Sequence, residues 1–367
     1  MKTKHPRILH APVLVINQQW VISRAQRQLG YKSDCMTFNA DRKELRVRSC
    51  DYNFHFDRSS ISFNPKNILK TLKFLIRFSA FFISALFKYD VFHFHSETFF
   101  GSRSSLDLMI LRLFRKKIVF QYWGCDIRLK TMSQLSEEHS TCDDCIRTCQ
   151  NSRKLRDNLT HLKYADFRVY GGSDTIRIVP DALYVPIAID LDYWRPVDKI
   201  PSEHLLPDPK GSIRILHPFE NAKTRGDQKG TKFIKKAADE LRDEGHKIEF
   251  VFVDNVPFES MKYYYQQADI VVVQLLMGTY SGVSVEAMAM GRPVVCYLNK
   301  DALRLMPKDN PIVNANLDTI KDTLKKLIED KNMRENLGIK SRKYIEEYHN
   351  AIKLAQQYID LYNKNWR

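Results

Sequence analysis

The chain of 367 residues has no uncharged hydrophobic run long enough to cross a bilayer. Its most apolar stretch, residues 71–87 (TLKFLIRFSAFFISALF), is interrupted by Lys73 and Arg77. The uncharged remainder, Phe78 to Phe87, is half of the roughly 20 residues a spanning helix needs. The opening MKTKHPRILHAPVLVINQQW is not built as a signal peptide: its apolar run is short, broken by His10 and Pro12, and has no small-residue cleavage site. Repeats and low-complexity tracts are lacking. Acidic side chains are in deficit, 43 against 58 Lys and Arg, for a formal net charge of +15. That excess favours anionic partners such as nucleotides, phosphorylated glycans or acidic lipid, and says nothing of fold. No nucleic-acid motif accompanies it, so nucleic acid is not an expected partner. The seven cysteines are odd in number with three bunched together, which suits a reduced compartment better than a disulfide framework. These absences point to a cytoplasmic protein. Segment 65–88 sets Lys66, Lys70, Lys73, Arg77 and Lys88 among Leu and Phe. Such a basic amphipathic helix suits peripheral contact with an anionic membrane surface on its inner face, or equally a packed helix with a basic outer side.

With 44% hydrophobic and 28% charged residues the chain has the composition of an ordered globular protein, and its length suits two domains. Strand-like runs alternate with helix-like ones. RILHAPVLV (7–15), 33–38, YDVFHFHS (89–96), KKIVFQYWG (116–124) and FRVYGG (167–172) read as strands, with helices over 18–29, 65–87 and 105–115 and a strand or hairpin in 44–56. Residues 196–212, with four prolines, read as a linker. The alternation then restarts: strands at 213–218, 247–255, 269–276 and 293–298, helices at 230–245 and 258–267, and charged helices over 317–365. The expected fold is α/β, two Rossmann-like doubly wound domains facing a central cleft. The expected division is 1–196, a linker at 197–212, a second domain at 213–345, and a last helix, 346–367, returning to the first domain.

Between Asp269 and Arg292 only one side chain, Glu286, is formally charged. It follows the loop GTYSGVS, whose glycines at 278 and 282 allow a sharp turn and close approach of a ligand. Ser284 reads as the N-cap of a helix VEAMAM that Gly291 and Pro293 end. Such a helix mouth presents free N–H groups and a positive dipole end to a phosphate or diphosphate. A carboxylate in the first turn, facing that mouth, can accept from two adjacent ribose hydroxyls, or simply favour the helix N-terminus.

VEAMAMGRPVV resembles the donor-site signature of retaining GT-B glycosyltransferases of the group 1, or family 4, type. HPFENAKTRGDQKGTKFIKKAADEL (217–241), YDVFHFHSE (89–97) and PIAIDLDYWRP (186–196) are similar to further passages of that family, in its order. The resemblance implies transfer, with retention, from a nucleotide-diphosphate sugar (a UDP- or GDP-sugar) to a glycan or lipid-linked acceptor, as in surface polysaccharide biosynthesis. No metal or other cofactor is implied, since cationic side chains and the helix dipole hold the diphosphate. Carried over by residue, Glu286 binds the ribose. Lys229 and Arg225 (or Lys223) clamp the diphosphate and the charge growing on the leaving group. Backbone amides of Gly282, Val283 and Ser284 complete the phosphate site.

The sequence departs from that pattern in places. The family's second glutamate, which touches the donor sugar, is here Gly278, so Thr279, Tyr280 or Ser281 would have to take over. Trp123 stands where a His is usual, which makes Asp126 and Arg128 candidates for binding hydroxyls, with His93 and His95 beside them. The loop VINQQW lacks glycines; Asn17 and Gln18 could bond a ligand there or cap the helix. His139, Cys142, Cys145 and Cys149 have spacings that could supply four zinc ligands. A compact run is unlike the two separated pairs of most zinc sites, and the three cysteines would share one helical face, so no metal is expected there. Two other readings stand beside transfer: a nucleotide-sugar epimerase or hydrolase on the same fold, and an inactive sugar-nucleotide-binding partner subunit.

Overall fold

The computed structural model describes residues 5–38, 50–56, 61, 64, 67–101, 104–146, 149, 151–172, 175–219, 226–254 and 256–364. Seven strands form the first sheet: β1 (Ile8–Pro12), β2 (Ser33–Thr37), β3 (Tyr52–Asn53), β4 (Val91–His95), β5 (Lys117–Tyr122), β6 (Phe167–Tyr170) and β7 (Leu183–Tyr184). They run parallel in the order β3-β2-β1-β4-β5-β6-β7. The helices of this half are α1 (Gln18–Gln28), α2 (Ile68–Lys88), α3 (Leu106–Leu113), α4 (Lys130–Ser136) and α5 (Asn151–Tyr164). Both faces of β4 and β5 are buried, as helix-covered parallel strands must be. On one face α2 turns Phe74, Phe78, Phe82 and Ala85 inward, at helical spacing, against Leu9, Phe38, Phe92 and Phe99.

The second sheet has β8 (Ile213–Pro218), β9 (Ile248–Val253), β10 (Ile270–Gln274), β11 (Val294–Cys296) and β12 (Val313–Asn314), all parallel in the order β12-β11-β10-β8-β9. Its helices are α6 (Thr231–Asp243), α7 (Phe258–Gln266), α8 (Gly282–Ala289), α9 (Lys300–Leu305), α10 (Ile320–Glu329) and α11 (Lys331–Tyr348). The last helix, α12 (Ala351–Asn363), crosses back and packs Leu354, Tyr358 and Tyr362 on Ile8, Val91 and Val119 of the first sheet. The crossing is pinned by His349, whose Nδ1 donates to Ile187 O at 2.7 Å, and by Ile189 N donating to His349 O at 2.9 Å.

These are the two doubly wound domains expected. Several details differ. Ile187, Ile189 and Trp194 lie in the core of the second domain, so the chain enters that domain before the proline-rich stretch. That stretch is tied along α7: Val197 N donates to Gln266 Oε1 and Gln267 Nε2 donates to His204 O. Within 44–56 only Tyr52–Asn53 is a strand among the described residues, and it pairs parallel to β2, not as a hairpin; residues 44–49 lie outside the description. Residues 141–144 form a turn, so Cys142, Cys145 and Cys149 do not share a helical face. The short elements α4, α9, β7 and β12 and the polar helix α5 carry too weak a periodicity to be read beforehand.

Candidate functional site at the facing sheet edges

The site grows from the loop between β10 and α8. Gly278 is in the left-handed region (φ +67), and its carbonyl accepts from Asn299 N at 2.9 Å. Thr279 O accepts from Gln274 Nε2 and from the Cys296 thiol. The loop is therefore held from β10 and β11. The N-cap of α8 is Ser281 and not Ser284; Ser284 is the third helical residue and its Oγ accepts from Ser281 N at 3.3 Å. Gly282, Val283 and Ser284 thus open the helix, and their amides are among those an α-helix leaves without an internal partner. The positive end of α8 points from the carboxyl edge of the second sheet.

Lys229 comes to the same edge from the β8–α6 connection. Its carbonyl accepts from Leu275 N at 2.9 Å, and its Nζ donates to Pro218 O at 2.9 Å beside the Phe219 ring. Gly230 (φ +78) caps α6. Cys296 of β11 is fully buried near this edge, its thiol bonded to Thr279 O. Burial pushes its thiol up to about 12, against the pull of the Lys229 ammonium and a hydrogen bond with Ser284. Lys229 and α8 share this edge through the backbone, since the Leu275 amide that bonds Lys229 O lies where β10 leads into the α8 loop. Arg225 and its alternative Lys223 lie outside the described residues.

Glu286 is the fifth residue of α8, one step beyond the first turn, and is only 4% exposed. Its Oε2 accepts from the Tyr265 hydroxyl of α7 at 2.9 Å. The expectation of a carboxylate in the first turn, open to the mouth, is corrected here: α8 starts earlier than the sequence suggested, and Tyr265 holds the acid from below.

The first domain forms the opposite wall. Ile16 and Asn17 both have positive φ (51 and 56) and bring the β1–α1 loop onto the start of α8. Asn17 sits at the N-cap of α1 without a side-chain capping bond, and it is buried. Gln18 is structural: it donates to Ala188 O and accepts from Ala188 N, both at 2.8 Å. Asp126 is committed to its own loop. Its carboxylate accepts from the amides of Trp123 at 3.0 Å, Gly124 at 2.8 Å and Ile127 at 3.1 Å. Burial raises its pKa, while Ser96 and the amides of Trp123 and Gly124 lower it. His95 is fully buried under Trp123, the rings nearly parallel with centroids 6.0 Å apart. His93 is also buried and bonds Tyr362. Trp123, which links Asp126 and His95, packs against the core of the second domain.

A feature missed from the sequence is the strap 137–144, laid from the first domain across the second. Glu137 accepts from Tyr297 OH at 2.9 Å and Asn299 Nδ2 at 2.7 Å. Thr141 N donates to Leu276 O, and its hydroxyl to Gln228 O, both at 2.9 Å. Asp144 pairs with Lys232 at 2.9 Å. A Cβ on Gly278 would lie 2.7 Å from Asn299 Nδ2, so a glutamate there has no room while Asn299 is held. The carboxylate bonded to that Asn299 amide is Glu137. Together with Arg128, Ser133, Arg177, Met277 and Asp301, Glu137 lines a cavity of about 320 Å³ between the domains. Tyr280 is spent on Tyr184 across the cleft, the hydroxyls 2.7 Å apart. Only the spacing of Glu137 ahead of the cysteine run could have flagged the strap, and acidic pairs such as Glu137–Glu138 are common on surfaces.

Of the cysteine run, Cys142 is buried and Cys149 Sγ accepts from Lys154 at 3.3 Å; the four residues His139, Cys142, Cys145 and Cys149 are not gathered as ligands.

Residues 225–330 match the model of a family described as glycosyl transferases group 1. No curated protein sequence matches the chain. In structure, the chain is similar to sucrose-phosphate synthase of Thermosynechococcus elongatus at 13% identity, with a TM-score of 0.61 over 98% of each chain. It is similar to HepE of Anabaena, solved with UDP and glucose, at 11% identity and a TM-score of 0.59, over 98% of this chain and 100% of that one. It is also similar to UDP-GlcNAc 2-epimerase of Neisseria meningitidis, bound to UDP-GlcNAc, at 14% identity and a TM-score of 0.58, with 98% and 100% covered. At such identities the likeness is one of fold, the GT-B fold. The match over 225–330 lies within the second domain, and with the GT-B fold it supports a glycosyltransferase.

Proposed function

We propose that the protein transfers a sugar, with retention, from a nucleotide-diphosphate sugar to a glycan or lipid-linked acceptor in surface polysaccharide biosynthesis. The observation that carries this reading is that Lys229 and the loop leading into α8 share the carboxyl edge of the second sheet, where Lys229 O accepts from Leu275 N just past β10. In doubly wound folds that edge is where ligands bind, and an ammonium beside free amides suits a diphosphate. The diphosphate would sit on Gly282, Val283 and Ser284, with Lys229 and Arg225 taking up the charge released as the glycosidic bond breaks. Glu286, oriented by Tyr265, would accept from the ribose. The cavity beside Glu137, Arg128 and Arg177 is the place offered to the donor sugar or the acceptor's attacking hydroxyl. Two of the similar structures hold UDP or a UDP-sugar, which supports a nucleotide-sugar donor.

The exposed face of the first domain supports peripheral membrane contact. Leu69, Ile76, Ile83 and Phe87 of α2 and Leu106, Met109 and Leu113 of α3 are exposed, beside exposed Lys70, Lys73 and Arg77. No helix among the described residues is long and apolar enough to cross a membrane.

The test is a panel of UDP-, GDP- and ADP-sugars with lipid-linked acceptors, followed by NMR of the product anomer. Nucleotide release coupled to a retained anomer is expected. An interconverted nucleotide sugar, or free sugar regardless of acceptor, would replace transfer by epimerase or hydrolase chemistry.

A further inference from the structure

We propose that His10, His93 and His95 form a transition-metal site of the zinc class inside the first domain, separate from the inter-domain cleft. His10 lies on β1 and His93 and His95 on β4; the strands pair in parallel with His10 opposite His93. The alternation of a strand puts His93 and His95 on one face, and each of the three rings is fully buried. One ring nitrogen of each lies within 4.8 Å of the other two. The partners of the outer nitrogens set the tautomers. His10 Nε2 is 3.0 Å from Gln26 Oε1, an oxygen that can only accept and that also receives the Ser33 hydroxyl at 2.7 Å. The proton of His10 is thereby placed on Nε2, which leaves a lone pair on Nδ1, the atom 3.1 Å from His95 Nε2. His93 Nδ1 is 2.6 Å from Tyr362 OH. Metal-bound histidines are oriented by such outer hydrogen bonds.

Of the remaining ring nitrogens, His93 Nε2 is buried with no hydrogen-bond partner, as is His95 Nδ1 on the far side of its ring from the Nε2 that meets His10. An imidazole lone pair in a dry core is under-satisfied unless it meets a donor or a cation. Borderline-soft ions such as Zn²⁺ take neutral imidazole readily. Ligand atoms around a tetrahedral zinc with Zn–N of about 2.0–2.1 Å stand about 3.4 Å apart. The His10–His95 separation is already near that value, and binding would draw His93 inward by rotation of its ring. The bound ion would also fix His95, on which Trp123 stacks at the cleft wall.

The test uses the full chain, freed of metal by chelation and dialysed. Titration with Zn²⁺, measured by calorimetry and elemental analysis, is expected to give equimolar uptake and a raised Tm. Co²⁺ is expected to give the visible absorption of a four-coordinate ion. Tyr362→Phe, which spares the rings, should weaken Zn²⁺ binding about 10–100-fold, and His93→Gln should abolish it. The triple change Cys142→Ser, Cys145→Ser, Cys149→Ser should leave it intact. Absence of stoichiometric uptake by the unmodified chain would overturn the proposal, as would uptake that the cysteine changes abolish and the histidine change leaves intact.

Discussion

Ile16 and Gly282 touch across the cleft so closely that a methyl group on Gly282 would lie 2.4 Å from Ile16 Cγ2. Glycine at the first position of α8 is thus what lets the two domains close here. Gly282→Ala should push the β1–α1 loop away at a penalty of about 1–3 kcal/mol, the usual range for overpacking, and raise KM for the donor. Because the obstructing atoms belong to one side chain, Ile16→Gly in the same protein should restore closure, and glycine also suits the positive φ of 51 at that position. A double-mutant cycle on KM checks this; additive effects would mean the contact is incidental.

Lys229 lies at the carboxyl edge of the second sheet, its carbonyl bonded to Leu275 N at 2.9 Å. Lys229→Ala should weaken UDP or GDP binding about 10–100-fold, the range for losing a charge-assisted hydrogen bond of about 1.5–3 kcal/mol. Lys229→Arg should recover part of it. Calorimetric titration separates this from a folding defect, and unchanged affinity in the alanine variant would remove the diphosphate from this edge.

Tyr265 and Glu286 form a buried pair, so their changes act differently. Tyr265→Phe removes one donor from a carboxylate and should lower stability by about 1–3 kcal/mol, seen as a reduced denaturant midpoint, with nucleotide binding weakened less. Glu286→Ala should abolish nucleotide retention. If both variants bind nucleotide like the parent, the acid is a packing element only.

What the sequence made legible follows from how each feature is encoded. The alternation of apolar strands with helices such as α6 names the fold because burial on both faces of a parallel sheet leaves continuous apolar runs. The run GTYSGVSVEAMAM names its loop and helix because glycine and small residues are needed in turn and packing. The exact start of α8 was misread by three residues, since Ser281 and Ser284 are equally good caps and only the hydrogen bonds of the folded loop choose. Glu137 and the strap were invisible, because their partners Tyr297, Asn299 and Leu276 are distant in sequence. The amides that bond the Asp126 carboxylate could not be read beforehand, because they depend on the fold of its loop. The three histidines on β1 and β4 are spaced as ordinary strand residues, and their meeting depends on register between β1 and β4.

His161 is buried, stacked on Phe120 with centroids 3.8 Å apart, and lies 3.1 Å from Tyr122 OH. Burial, with Arg168 adding to it, lowers its pKa from 6.5 to about 3. His217 is pushed down to about 3 and His349 to about 4, burial leading in both. Such groups bind protons in the unfolded chain first. Their contribution to stability is complete above about pH 6.5 and is lost as pH falls through 6.5 towards 3–4, at up to about 1.4 kcal/mol per pH unit per group. Denaturant titrations from pH 7 to 4 should show stability falling with pH. His161→Phe should make that fall shallower by close to one proton, and an unchanged slope would mean His161 is charged in the fold.

The exposed face of α2 and α3 yields the last prediction. Ile76 and Ile83, seven residues apart, lie on one side of α2 and are 70% and 57% exposed. Phe87 at its end meets Phe114 after α3, the ring centroids 5.8 Å apart, so the two helices share one apolar surface. Exposed Lys70, Lys73 and Arg77 interleave with it. Apolar insertion and attraction to anionic headgroups then act together. The protein should sediment with vesicles containing anionic lipid, less with neutral ones, and less again as salt rises, since surface attraction is screened over about 8–10 Å at physiological ionic strength. Ile76→Glu with Ile83→Glu should lower the bound fraction at least about tenfold, because burial of one such side chain is worth about 1.5–3 kcal/mol and the added charges repel the lipid. Turnover on a short water-soluble acceptor should be unaffected by these changes, which touch neither the cleft nor the second domain. Equal sedimentation of parent and variant would mean this surface does not meet the bilayer.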